Sequence, residues 1–342
     1  MKWMKRISIW IVFSLSMQCL GLFYINHYFL ATDSKVVTKK VVEDKSEKIK
    51  NIDITVPANA ENVLVSYDAK YLTYFENEKL KIVNSEDGKN KNIEAEEGCK
   101  ISFSEWLPDR NRILLVERKA DDESSNLVLY SYDVSKGVKV KIKDLAWADA
   151  QAEVEDVQTA PLTGLIYVKV SSNGGKSSIY RIERMKDMTK INTIPQFVSN
   201  ISLLLHDDKL VYEGLVYNSI YITGKYEAIS IEGVDKLTLI GADGDDNVYL
   251  GELKDNLVTK IYFGKISENT SEWKSVTLEI PCKKSDLFIS NVGKAYQSDT
   301  LRGVVKEINS GTETSYQGKL VQLYTKGIVV LVDNKISFVP FK

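Results

Sequence analysis

Few side chains in this protein could do chemistry, and the clearest lie in two short stretches. Only two histidines occur among 342 residues, His27 and His206. His206 opens the run His206-Asp207-Asp208, an imidazole beside two carboxylates, residue types that move protons or ligate metals. The run follows apolar Ile201–Leu205 and precedes Lys209–Tyr212, so the expectation is a polar hairpin turn. Ala242-Asp243-Gly244-Asp245-Asp246-Asn247 brings three carboxylates together in the spacing of a calcium loop. Such a loop needs a glycine at its sixth position, which is absent here, and a turn before the strand Val248–Leu250 explains the same residues. Cys19, Cys99 and Cys282 match no metal spacing and are too few for a disulfide framework. Cys99 and Cys282 each stand just ahead of a new repeat unit, too far apart around a ring to bridge, so both are expected as free thiols. No G-x-S-x-G elbow is present. The sequence therefore assigns no catalytic, cofactor-binding or metal residue, and the expectation is a protein that is not an enzyme.

Composition narrows the partners. Lys and Arg number 45 against 47 Asp and Glu, and residues 1–30 hold Lys2, Lys5 and Arg6 without an acid, so the remainder is net acidic. Nucleic-acid binding, which calls for a basic face, is not expected. The acidic runs Glu94–Glu97 and Asp121–Glu123 read as solvated loops. Apolar content of 44% is ample for a core, and 18 tyrosines with 6 prolines favour pleated structure.

The elements that must position these residues are strands. Glu105–Asp133 holds a turn at Trp106–Arg110, an apolar run at Ile113–Val116, a charged loop over Glu117–Asn126 and a second β-rich run at Leu127–Tyr132. Looser copies follow one another along the chain: Ser66–Lys89, Gly164–Ile182, Lys209–Ile222, Asn247–Phe263 and Leu287–Val305, with two crisp strands at Gly327–Asp333 and Lys335–Phe341. Helix is expected only as a turn or two at Trp147–Asp156. The reading is all-β, a propeller of about six four-stranded blades, seven if residues 281–342 hide two. Closure would come from the last strands completing a sheet begun near Glu61, which removes exposed edges.

Two phrases carry a family resemblance. Ser66-Tyr67-Asp68-Ala69-Lys70-Tyr71-Leu72-Thr73-Tyr74 and Trp106-Leu107-Pro108-Asp109-Arg110-Asn111-Arg112-Ile113-Leu114 resemble the S-P-D-G-K-x-[IL]-[AV]-[FY] phrase of TolB-type β-propellers. Tyr67 stands in place of its proline and Ala69 in place of its glycine. The resemblance implies that each phrase forms the turn and strand leading into a blade. It implies little about function, because propellers host many unrelated activities. Some propellers of this type precede peptidase domains, and none is expected to follow this one.

The N-terminal end reads as a membrane anchor. Ile7–Leu30 runs 24 residues without a charge, enough to cross a bilayer with some tilt. Trp3 and Trp10 near one end and Tyr24 and Tyr28 near the other suit the two interfaces. A cleaved signal peptide would have a shorter apolar region and a better cleavage site than Ala31-Thr32-Asp33-Ser34. The expected organisation is a cytoplasmic leader (1–6), a transmembrane signal-anchor (7–30), a charged stalk (31–51) and an extracytoplasmic propeller (52–342). From this follows the expected function: a membrane-tethered, non-catalytic scaffold with an envelope protein as partner. Its rival is a sensor or carrier of a carbohydrate, peptide or ion, a small-molecule ligand, and behind that stands a hydrolase of unrecognised type.

Overall fold

The computed structural model describes residues 2–24 and 54–342, apart from 121–124, 148, 162 and 325. The chain divides into two units, residues 1–49 and 50–342. In the first, a helix runs over Lys2–Tyr24, and its Lys5–Tyr24 stretch is long and apolar enough to cross a membrane. Residues 25–30 of the expected span and the expected stalk lie outside the described residues.

The second unit is a seven-bladed β-propeller. After a short strand β1 (Ile54–Thr55), blade 1 comprises β2 (Glu61–Val65), β3 (Tyr71–Glu76), β4 (Lys79–Asn84) and β5 (Asn90–Ile93). Blade 2 holds β6 (Lys100–Trp106), β7 (Arg112–Ala120), β8 (Ser125–Asp133) and β9 (Val138–Trp147). Blade 3 holds β10 (Glu153–Ala160), β11 (Leu165–Ser171), β12 (Ser177–Ile182) and β13 (Met188–Ile191). Blade 4 has three regular strands, β14 (Val198–Leu204), β15 (Lys209–Gly214) and β16 (Ile220–Ile222), with Ile229 bridging back to Ile220. Blade 5 holds β17 (Leu237–Ala242), β18 (Asn247–Lys254), β19 (Leu257–Lys265) and β20 (Lys274–Cys282). Blade 6 holds β21 (Leu287–Ile289), β22 (Ala295–Asp299), β23 (Val304–Glu307) and β24 (Glu313–Ser315). Blade 7 is built from β25 (Lys319–Tyr324), β26 (Gly327–Val332) and β27 (Lys335–Pro340), and β1 supplies its fourth strand.

The count resolves to the larger of the two expected numbers, and residues 281–342 do hold two blades. Closure differs in detail from the expectation. Glu61 begins a blade of its own, and the strand that joins the last sheet is β1, through the pairs Ile54↔Ile336 and Thr55↔Lys335. The loop expected over Glu117–Asn126 is also shorter, because β7 and β8 stay paired out to Ala120↔Ser125. Among the described residues of Trp147–Asp156 there is no helix: β9 runs into that stretch, a turn follows, and β10 leaves it.

First strands meet first strands around the ring, β2 with β6, β6 with β10, β10 with β14, β14 with β17, and β25 with β2. Six of the seven carry a register shift where they pair with the second strand, the added bend and twist of a bulge. Apolar burial lies between blades. Val168 and Val170 of β11 pack with Leu114 and Val116 of blade 2, while Tyr167, facing the other way, packs with Leu203 and Leu210 of blade 4. Both faces of a strand are thus buried, which is why these segments read as apolar runs.

Two sets of loops define the two faces. Turns joining first to second and third to fourth strands form one, here the turn face. Second-to-third hairpins and the linkers between blades form the other, the linker face.

Closure generates a prediction. Ile54 is buried against Val329 and Phe338, whereas Thr55 is exposed. Ile54→Ala should lower stability by about 2–4 kcal/mol in urea unfolding and Thr55→Ala by less than about 0.5 kcal/mol. Equal, small effects would mean that β1 does not close the ring.

Candidate functional site

The stretches singled out for chemistry are turns, as expected, and their carboxylates serve the joints between blades. His206–Asp208 is the β14–β15 turn and Ala242–Asn247 spans the β17–β18 turn. Buried Asp246 accepts the N–H groups of Leu205 (2.6 Å), His206 (2.9 Å) and Asp207 (3.2 Å), and its Oδ2 lies 3.3 Å from His206 Nδ1. Asp243 accepts from the N–H groups of Asp245 and Asn247, from Asn247 Nδ2 and from Tyr249 OH. The carboxylate lone pairs a cation would take are occupied by donors. Among the described residues no group of three or more His, Cys, Asp or Glu side chains is placed to hold a metal. Asp208 accepts from Arg181 Nη2 (2.8 Å) and Tyr167 OH (3.3 Å) of blade 3, and Asp68 accepts from Asn111 Nδ2 (3.0 Å) of blade 2.

Sequence reasoning missed the charges buried within the blades. Glu213 of β15 is 2% exposed and accepts from Asn200 Nδ2 (2.9 Å), Asn218 Nδ2 (3.3 Å), Thr238 Oγ1 (2.9 Å), Leu239 N–H (3.3 Å) and Lys284 Nζ (2.9 Å). Burial alone would raise its carboxyl, but Lys284 and these donors outweigh burial and hold it below the ordinary range. Lys284 is pulled down chiefly by its own burial. Lys169 of β11, also buried, reaches Glu155 (2.9 Å) and the Ser199 carbonyl. Glu117 of β7 takes Lys139 Nζ and the Glu96 N–H. The available signal was one charge inside an apolar run, as in Val168-Lys169-Val170.

A carboxyl pair sits where β6 meets β10. Gln158 Nε2 donates to Asp156 at 2.8 Å, and the Val157 N–H lies near both carboxyls. Burial, then the Asp156 charge, pushes Glu105 up to about 8 from a usual 4.5, and burial also raises Asp156. At neutral pH Glu105 therefore keeps its proton.

Openings in the ring are of two characters. A polar one of about 770 Å³ on the linker face includes Glu61, Glu78, Lys100 and Arg118 of blades 1 and 2. An uncharged one of about 340 Å³ lies on the same face between the β13–β14 linker and the β15–β16 hairpin, lined by Ile194, Pro195, Phe197, Val216, Tyr217 and Tyr221. Beside it Leu215, Val216 and Tyr217 are 59%, 62% and 84% exposed. Tyr226, 90% exposed, lies beyond β16, so among the described residues of the propeller the two most exposed tyrosines stand on different loops of blade 4.

Two predictions arise here. Because Glu105 binds its proton more tightly folded than unfolded, its stabilising contribution is full below about pH 4.5 and is lost as pH rises through about 8. Glu105 keeps part of its surface exposed, and solvent screening leaves on the order of 2–3 kcal/mol. Glu105→Gln should flatten the fall in urea stability between pH 5 and pH 8, and an unchanged slope would place the proton elsewhere. The thiols should also separate: Cys282 is buried and pushed up to about 11 by that burial and by Asp286, whereas Cys99 is partly exposed. In the native protein a maleimide should label Cys99 at least about tenfold faster than Cys282. Both thiols should react in denaturant without prior reduction.

No protein-family model matches the chain, and no curated protein matches its sequence. Solved structures are similar in fold. A chain of a mitotic checkpoint complex shares 11% identity, covering 84% of this chain and 92% of that one, at a TM-score of 0.51. TolB from Acinetobacter baumannii shares 14% identity over 66% of this chain and 56% of its own, at 0.39. Porphyromonas gingivalis dipeptidyl peptidase 4 shares 11% over 73% of this chain and 44% of its own, at 0.45. The chain thus spans about half the length of the last two. At these identities the likeness is to the propeller fold and to nothing finer.

Proposed function

We propose that this protein is a membrane-tethered, non-catalytic propeller that binds other proteins as a scaffold on the extracytoplasmic side of the cell envelope. The observation that carries the reading is the linker-face cleft of blade 4. It is uncharged, lined by aromatic and branched side chains, and flanked by Leu215, Val216 and Tyr217 standing in water. Exposed apolar groups gathered at one place mark interaction surfaces, and tyrosine is enriched at the energetic centres of protein interfaces. The hairpin that presents them is held by Glu213 through Asn218, so the surface is fixed before a partner arrives. The apolar helix Lys5–Tyr24 supports the tether, and Lys2, Lys5 and Arg6 ahead of its apolar stretch support an inward N-terminus. Tethering raises the local concentration for a partner in the same membrane.

The rival is a small polar ligand in the wide linker-face opening, favoured by the mixed charges of Glu61, Lys100 and Arg118 there. One experiment separates the two. The full chain, crosslinked in membranes and purified, should retain protein partners. Joint Val216→Ser and Tyr217→Ser replacement should cut that capture by at least about tenfold without lowering thermal stability, since both side chains are exposed. Absence of any reproducible protein partner, together with a thermal shift on adding a small polar ligand, would replace this reading with its rival.

A further inference from the structure

A second opening lies on the opposite, turn face, between blades 2 and 3. It has a volume of about 470 Å³, and its apolar wall is made by Leu107, Val138, Val140, Ile142, Pro161 and Ile166. Val138 and Val140 are 48% and 54% exposed, high for branched side chains in a ten-residue strand. β9, which carries them, is the edge strand of its sheet.

Comparison with other joints shows why this one is open. Trp106 at the end of β6 fills the joint between blades 1 and 2, stacked on Tyr71 and donating to Thr73 Oγ1 at 3.1 Å. At the end of β10 the residues turned to blade 2 are Thr159 and Pro161, which are smaller. The turn of blade 2 is tied back to blade 1 through Asn111 and Asp68. Among the described residues, no hydrogen bond ties the blade 3 turn at 161–164 to blade 2.

The rim is basic. Arg110, Arg112, Lys136, Lys141 and Lys186 line it against one acid, Asp133. Three of these bases have carboxylate partners: Arg112 with Asp133 (2.8 Å), Lys141 with Asp144 (2.7 Å), and Arg110 with Asp109. Lys136 and Lys186 have none among the described residues, and Lys186 Nζ donates to the Lys141 carbonyl (2.9 Å). An apolar wall inside a basic rim is complementary to a segment that alternates apolar and acidic side chains. The rest of the chain is net acidic, so this rim is a local inversion of sign.

From this juxtaposition we infer that the blade 2–3 cleft receives an extended, acidic and apolar peptide segment of a partner protein, lying along β9. Its apolar side chains enter beside Val138 and Val140, and its carboxylates meet Lys136 and Lys186. The inference rests on the scaffold reading and adds a second docking surface to it, on the face opposite the blade 4 cleft.

The test uses the full chain in nanodiscs and a dye-labelled peptide of four Leu-Glu repeats, followed by fluorescence anisotropy. Leu-Lys and Ser-Glu repeat peptides control for charge and for apolarity. The Leu-Glu peptide should bind at least about tenfold more tightly than either control. Two changes should each weaken it by at least about tenfold: Thr159→Trp, which places a filler where Trp106 stands in the neighbouring joint, and joint Lys136→Glu with Lys186→Glu. The second pair is exposed, so it keeps the test decisive if Thr159→Trp unfolds the protein, which thermal unfolding will reveal. Binding that survives both changes, or that is matched by the Leu-Lys peptide, overturns the inference. So does displacement of the peptide by dodecyl phosphate at lower concentration than by unlabelled peptide, which would make the occupant an anionic lipid. If the inference fails while Tyr217-dependent capture persists, the scaffold reading stands and only this surface is withdrawn. Loss of both would remove the scaffold reading itself.

Discussion

Everything in the propeller depends on blades burying their faces against one another. A blade such as β10–β13 has no core of its own: alternate side chains of β11 serve blade 2 on one side and blade 4 on the other. Seven apolar clusters result, one at each joint between neighbours. A row of such blades would leave two apolar faces and two unpaired edges in water, so the ring must close. Closure joins residues from the two ends of the propeller, Ile54 to Ile336, and brings Val65 N–H to Gln322 Oε1 at 2.8 Å. Contacts so distant in sequence carry a large loop-closure cost before they repay it, and the whole fold waits on them.

The same constraint explains why residues that look chemical are structural. Where blades converge, turn backbones are shielded from water, and their N–H groups need acceptors. Short acidic side chains supply them. Asp246 collects three N–H groups from blade 4, Asp208 binds Arg181 and Tyr167 of blade 3, and Asp68 binds Asn111 of blade 2. A carboxylate with its lone pairs so engaged has little left for a metal or a substrate proton. The Glu213–Lys284 pair follows the same logic, since removing Lys284 would leave a buried carboxylate with neutral donors but no opposing charge.

The sequence made most of the architecture legible because most second strands are apolar runs ended by Asp, Asn or Gly. The Ser66 phrase even announced its turn: Ala69, where the family phrase has glycine, takes φ 60° and buries its methyl group in the joint with blade 7. Blade 7 was harder to see because its neighbours in sequence are weak. β21 and β24 have three residues each, and β25 has no strongly apolar alternation. The fourth strand of that sheet comes from the other end of the chain, and no local pattern can show that. Buried charges were hidden for a related reason. Glu213 and Lys284 are 71 positions apart, and each looks like an ordinary surface residue until the fold brings them together.

Function, on this account, lies where the joints are unevenly sealed. Trp106 against Tyr71 seals the turn-face end of the joint between blades 1 and 2, and Tyr296 stacked on Phe341 packs the joint between blades 6 and 7. The joint between blades 2 and 3 substitutes Thr159 and Pro161 and keeps an apolar wall in water, which costs solvation that a partner can recover. The blade 4 hairpin makes a similar concession on the other face with Leu215, Val216 and Tyr217. The two surfaces differ in charge, one neutral and aromatic, the other rimmed by lysine and arginine, so they favour different partners. Because a closed ring of packed joints resists shear, a partner on one face leaves the other undistorted. On the proposed scaffold reading, two segments can then be held at once.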